Sequence, residues 1–255
     1  MTKRQKFVVA SLFLSLGLIA VQLVKLEIRY QAIAGLSLLA YLFSAWALRK
    51  DLNGIEWLTV LILPVFYTVA SGLFYFLLPE RWFSRFTVAG LFGVGFYALL
   101  LTENIFAVAA IRTIQLLRAA QTVGFLVSLI TAFFLFDTIF SLKLHCYLNF
   151  FLVLFASFPL ILQSLWSIKL EEKITTKVFF YTFFLSLILA ETVLFLSFWP
   201  VTVVAGSLFL TTLLYVLLGI AQEHFKERLF QKTLKEYLWV GVIVFLTTFL
   251  ITQWG

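Results

Sequence analysis

The sequence predicts an all-α fold, a polytopic transmembrane helical bundle of about nine spans, N-inside and C-outside. Three observations predict it. Hydrophobic residues make up 63% of the 255 and charged residues 12%, against roughly a half and a quarter in soluble domains. A soluble core cannot absorb that much apolar surface, so lipid is the solvent for most of the chain. The apolar runs are individually long enough to span a bilayer, and the positive charges between them alternate as the positive-inside rule requires.

The first run, 7–24, follows Lys3, Arg4 and Lys6 and resembles a secretory signal. At about 18 residues it exceeds a signal core, and no Ala-x-Ala site follows it, so it reads as a retained first helix. The remaining spans are expected at 32–48, 57–78, 87–108, 120–142, 147–166, 178–199, 201–220 and 238–253. They leave no room for a soluble domain, so residues 1–255 read as a single integral membrane domain. Pro64 in the third span and Pro159 in the sixth are candidate helix kinks, since proline frees a backbone carbonyl. Ala89, Gly90, Gly93 and Gly95 give the fourth span a small-residue face suited to close helix contact. Trp199-Pro200 alone joins spans seven and eight, as a tight hairpin.

With this topology the inner segments hold Lys3, Arg4, Lys6, Arg49, Lys50, Arg112, Arg118, Lys169, Lys173, Lys177, Lys226, Arg228, Lys232 and Lys235. The outer ones hold Lys25, Arg29, Arg81, Arg85 and Lys143. Adding or removing one span scrambles the alternation. The net charge of +7 is thus sorted by membrane side rather than gathered on a nucleic-acid-binding face. Trp46, Trp57, Trp82, Trp166, Trp199, Trp239 and Trp254 all fall at expected span ends, the headgroup level that tryptophan prefers.

Two inner segments carry an amphipathic pattern and are expected to form surface helices, near 105–121 and 221–237. In the first, Arg112, Gln115, Arg118 and Gln121 sweep one half of the helix, while Phe106, Ala109, Ala110, Thr113, Leu116, Leu117 and Ala120 gather on the other. A voltage sensor needs more arginines within the bilayer and several acidic partners. A re-entrant helix whose polar face lines a cavity is the alternative. The second segment, "AQEHFKERLFQKTLKEY", reads as a surface helix or as an extension of span eight.

Ionisable residues inside a span are costly and are functional candidates by default. Asp137 and Glu191 lie at similar depths in spans five and seven, about 7 and 12 Å from the outer span ends at 1.5 Å per residue. Asn149 at the start of span six can join them in a shared ion, proton or substrate pathway. The alternative is that each acid is satisfied locally, with Thr138 and Thr192 as adjacent partners. Glu103 and Asn104 lie where Arg112 or Arg118 can reach back, as an interfacial ion-pair cluster.

Stoichiometry excludes several classes. His145 and His224 are the only histidines and Met1 the only methionine, too few for a two-haem cytochrome or a His/Met haem pair. No lysine is placed mid-span for a retinal Schiff base. Cys146 is the only cysteine, so no internal disulfide forms. His145-Cys146 lacks the further ligands of a zinc site. No cofactor and no metal is expected. Aspartyl-dyad and serine intramembrane proteolysis, loop-motif glycosyl transfer and two-metal lipid transfer each lack a required residue set.

The stretch "TENIFAVAAIRTIQLLRAAQTVGFLVSLITAFFLFDTIF", Thr102 to Phe140, resembles a segment of uncharacterised bacterial multi-spanning membrane proteins, a resemblance that implies no activity. The expected setting is the plasma (inner) membrane. The partners are the lipid bilayer and other membrane proteins or a second copy, and not nucleic acid. Three functions stay open: a small-solute or ion transporter or channel-like protein using Asp137 and Glu191, a non-catalytic structural or assembly subunit of a membrane complex, and a lipid-modifying enzyme.

Overall fold

A computed structural model describes residues 2–78, 82–110 and 115–252. Among them are nine helices of 20 to 28 residues, each long and apolar enough to cross a membrane. At 1.5 Å per residue they run about 30–42 Å, against a hydrocarbon core of about 30 Å. This is the pattern of a multi-pass membrane protein. The helices divide into two compact units, one built from residues 1–131 with 170–173 and the other from 132–169 with 174–255.

The first unit is a ring of four helices: α1 (Lys3–Gln22), α2 (Arg29–Leu48), α3 (Glu56–Tyr75) and α4 (Trp82–Ala109). α1 packs on α2 and α4, and α3 packs on α2 and α4. A capping box starts α1, with the Thr2 hydroxyl accepting from the Gln5 amide and the Gln5 side chain accepting from the Thr2 amide, which satisfies two otherwise orphaned donors. The Lys3 ammonium bonds the Asp51 carboxylate at 2.6 Å, tying that end of α1 to the α2–α3 turn. Gly54 takes φ +50° in this turn, a conformation that glycine adopts without steric cost.

Close approach of small residues builds the α1–α4 and α3–α4 contacts. The Ser15 hydroxyl donates to the Ala89 carbonyl at 2.6 Å, and Gly93 stands against Ser15. Gly95 leaves room for the Tyr67 hydroxyl, whose ring stacks on Phe92 with centroids 5.3 Å apart. Gly90 is different: it is exposed and faces open space. Pro64 sits buried inside α3, where the Thr68 hydroxyl donates to the Pro64 carbonyl at 2.8 Å.

α5 (Leu117–Ser141) contributes residues up to Thr131 to the first unit and from Ala132 onward to the second. The second unit continues with α6 (Cys146–Lys169), α7 (Thr176–Ser197), α8 (Val203–Phe225) and α9 (Gln231–Ile251). α6 and α7 form an antiparallel pair, α8 packs on both, and α9 packs mainly on α8, with its Phe245 and Phe249 also against Trp199. Pro159 lies within a continuous α6.

Neither expected surface helix is a separate element. Of 105–121, residues up to Ala109 end α4 and those from Leu117 begin α5; Arg112 and Thr113 lie outside the described residues. The segment 221–237 is split between the end of α8 and the start of α9. The cause is local: Glu227 takes φ +58°, the Arg228 amide donates to the Glu223 carbonyl at 2.9 Å, and the Glu227 amide donates to the His224 carbonyl at 3.1 Å. This is a Schellman cap, which satisfies the last carbonyls of α8 and stops it. Its charged residues are therefore the flanks of two spanning helices. Trp239 accordingly falls within α9, and Trp254 lies outside the described residues.

Candidate functional site

Asp137 and Glu191 both belong to the second unit, and their surroundings differ. Asp137 is 6% exposed on α5. Its Oδ1 accepts a 3.0 Å hydrogen bond from the Ser207 hydroxyl of α8. Adjacent Thr138 does not serve it, because that hydroxyl donates to the Phe134 carbonyl of its own helix at 2.7 Å. Gly206, the residue before Ser207, lies beside Phe140 of α5. The sequence reading missed Ser207; the only available signal was its place beside a glycine in an apolar run.

Glu191 is exposed on α7. It falls in a stripe of Phe180, Phe184, Ile188, Phe195 and Phe198, all exposed, spaced three or four residues apart along one helix face. Thr192 bonds the Ile188 carbonyl at 2.7 Å and leaves Glu191 alone. Asn149 is buried at the start of α6, where its amide donates to the Leu144 carbonyl at 3.4 Å while Oδ1 has no partner. The three candidates therefore do not line one enclosed polar chamber: Asp137 is inside and bonded to α8, Asn149 turns to its own helix start, and Glu191 faces outward.

In the first unit Glu103 is wholly buried on α4 and Asn104 half-buried beside it. Arg118 is exposed at the start of α5 and pairs with no carboxylate among the described residues. Among the described residues no ion pair joins Arg118 to Glu103, and Arg112 lies outside the described residues.

A polar contact that the sequence reading passed over joins α6 and α8. The Gln222 amide of α8 donates to the Ser164 hydroxyl of α6 at 2.9 Å. Ser167 donates to the Ser164 carbonyl at 2.9 Å, and Ser186 to the Thr182 carbonyl at 2.8 Å. Uncharged residues scattered in apolar runs give no sequence signal, and Gln222 reads as part of a surface segment. At the nearby end of α7 and α8, the Lys177 ammonium lies 3.3 Å from His224 Nε2 and 5.2 Å from the Phe225 ring centroid, while His224 stacks on Tyr181. Among the described residues no three His, Cys, Asp or Glu side chains gather as a metal site requires.

A family model described as "Protein of unknown function (DUF5656)" matches residues 15–251. The chain belongs to this family. No curated protein and no solved structure matches it. For this DUF5656 member the match runs from within α1 to the end of α9, so the family pattern spans both units and all nine helices.

Proposed function

We propose that this DUF5656 member is a non-catalytic assembly subunit of a bacterial inner-membrane complex, with a cytoplasmic N-terminus and an external C-terminus. The observation that carries this reading is Glu191, a carboxyl exposed within an apolar helix face. It stands six residues, about 9 Å, before the end of α7. An acidic side chain turned toward lipid at such a depth is unfavourable, by about 2.5–3.5 kcal/mol at the helix centre on insertion scales. A transmembrane helix presenting a basic or amide side chain at the same depth removes that cost, as interhelical polar contacts do.

Asp137 supports the same reading from inside, since its carboxylate is bonded to Ser207 in close packing rather than poised at a pathway. α9 supports it too, because only Thr248 of its 21 residues is buried. The alternation of lysines and arginines supports the orientation. Transport through a shared Asp137–Glu191 pathway draws less support, since the two acids occupy unlike surroundings.

The test is site-specific photocrosslinking from positions 188 and 195, which flank Glu191 on its stripe, in native membranes. The expected adduct maps to a transmembrane segment of another protein that carries a basic or amide residue at the facing depth, and it disappears in Glu191→Leu. Adducts to lipid alone at both positions overturn the proposal. Adducts to a second copy of this chain replace it with self-association. Flux in liposomes abolished by both Asp137→Asn and Glu191→Gln restores the transport reading.

A further inference from the structure

Lys177, in the first turn of α7, and His224, near the end of α8, stand 47 positions apart in the chain, yet the Lys177 Nζ lies 3.3 Å from His224 Nε2. An ammonium carries three donors and no acceptor, so one of its protons is turned to the ring nitrogen and two remain. The Phe225 ring, buried at the end of α8, has the Lys177 ammonium 5.2 Å from its centroid and the Lys169 ammonium of the α6 end 6.0 Å from it. Tyr181, one turn further into α7, stacks on His224 with centroids 5.8 Å apart and meets Phe225 edge-on at 5.2 Å. All five residues belong to the second unit.

Positive charge is concentrated here without its complement. Lys169, Lys177 and His224 are all exposed, and none of them pairs with a carboxylate among the described residues. The acid beside His224 in the chain, Glu223, is bonded instead to Lys226 at 2.9 Å. Two ammoniums brought from different helices to one ring repel each other, and an anion seated beside them offsets that repulsion. The neighbouring surface says which anion. Phe180 and Phe184 are exposed along the next two turns of α7, with their rings stacked at 6.4 Å. Apolar surface therefore runs directly away from the cationic end. A molecule charged at one end and apolar along its length matches that order of surfaces, and the ends of spanning helices lie at the headgroup level.

We propose that the Lys177–His224 end of the second unit binds the phosphate group of an anionic lipid. The Lys177 ammonium donates to the phosphate oxygens, a ring N–H of His224 adds a second donor, and Lys169 adds charge beside them. The acyl chains lie along α7 over Phe180 and Phe184. A zwitterionic lipid gains less, because its own cationic headgroup group is repelled by the lysines. Glu191 stands fourteen residues, about 21 Å, further along α7. The lipid and the assembly contact thus occupy different parts of that helix, and the proposal does not rest on the assembly role.

The experiment uses the full chain in non-ionic detergent micelles, with its two histidines isotope-labelled and their ring signals followed by NMR; His145→Asn assigns them. The probes are dihexanoylphosphatidylglycerol, dihexanoylphosphatidylcholine and inorganic phosphate, titrated at matched ionic strength because salt screens exposed charges. The expected result is a saturable displacement of the His224 signal by the phosphatidylglycerol. It is half-complete at a concentration at least about tenfold below that of the phosphatidylcholine, the factor that about 1.4 kcal/mol supplies. The His145 signal stays in place and reports an intact fold. Lys177→Gln removes that preference and Lys169→Gln weakens it. Lys232→Gln, which removes the same charge from the start of α9, leaves it unchanged. Equal responses to the two lipids overturn the proposal, as does an undiminished preference in both Lys177→Gln and Lys169→Gln. So does a preference lost equally in Lys177→Gln and Lys232→Gln, since the attraction is then that of diffuse surface charge. Inorganic phosphate matching the phosphatidylglycerol overturns it too, since the site then takes a free anion and not a lipid.

Discussion

The Ser207 hydroxyl of α8 donates to the Asp137 carboxylate of α5 across 3.0 Å, between two residues 70 positions apart in the chain. The same hydroxyl lies 3.0 Å from the Val204 carbonyl of its own helix. A hydroxyl has one proton, so the two acceptors compete for it. The tertiary bond holds a costly residue inside an apolar unit, and its partner has a local alternative if the helices separate.

Removing the donor therefore leaves a buried carboxyl without its partner. Ser207→Ala is expected to destabilise the protein by about 1–3 kcal/mol, read from the midpoint of unfolding in mixed detergent micelles. In a double-mutant cycle, Asp137→Ala combined with Ser207→Ala is expected to cost less than the sum of the single changes, because the second substitution removes an interaction already lost. Additive costs would mean that the two residues contribute through packing rather than through this bond.

That bond also marks where sequence reading stops. The spans were legible because a run of apolar residues reports its own length, whichever neighbours it meets. Helix ends were less so: α9 starts at Gln231 and not near 238, because hydropathy reports where the lipid ends and a helix continues past it into polar residues. Glu227 closes α8 with no glycine or proline to announce the stop, so the charged segment reads as one amphipathic helix. The site residues were half legible. Asp137 and Glu191 are conspicuous as charges in apolar runs, but which faces inward depends on helix rotation. Where every face of a helix is apolar, no periodicity sets that rotation.

Glu191 separates assembly from folding. Because its side chain is exposed on α7, Glu191→Leu is expected to change the melting behaviour of the isolated chain by no more than about 0.5 kcal/mol. The same change is expected to improve membrane insertion of the isolated α7 segment by about 3 kcal/mol, measured by glycosylation mapping of that segment. A large loss of stability in the isolated chain would place the carboxyl in an internal contact, and the outward-facing stripe would then be wrong.

The four small residues of α4 are not equivalent. A methyl group at Gly95 meets the Tyr67 hydroxyl, whereas one at Gly90 meets nothing within 4 Å. Gly95→Ala is therefore expected to cost about 1–3 kcal/mol through overpacking. Gly90→Ala is expected to be neutral or to stabilise by up to about 1 kcal/mol, the difference in helix propensity. The pair tests the α3–α4 contact with a single added methyl in each case. Equal costs at both positions would show that α4 presents a different face to α3.

Glu227 gives the last test, and its sign is opposite to that of most substitutions. Glutamate at φ +58° sits in the left-handed region, where a side chain costs roughly 1–2 kcal/mol in steric conflict and glycine is the usual choice at this position of a Schellman cap. Both amide bonds of the cap are made by backbone, so they survive loss of the side chain. Glu227→Gly is therefore expected to raise stability by about 1 kcal/mol, less the extra entropy that glycine brings to the unfolded chain. Unfolding in mixed micelles reads that gain directly. A loss of stability would mean that the α8–α9 segment prefers to continue as helix beyond Phe225, as the amphipathic pattern of 221–237 first suggests.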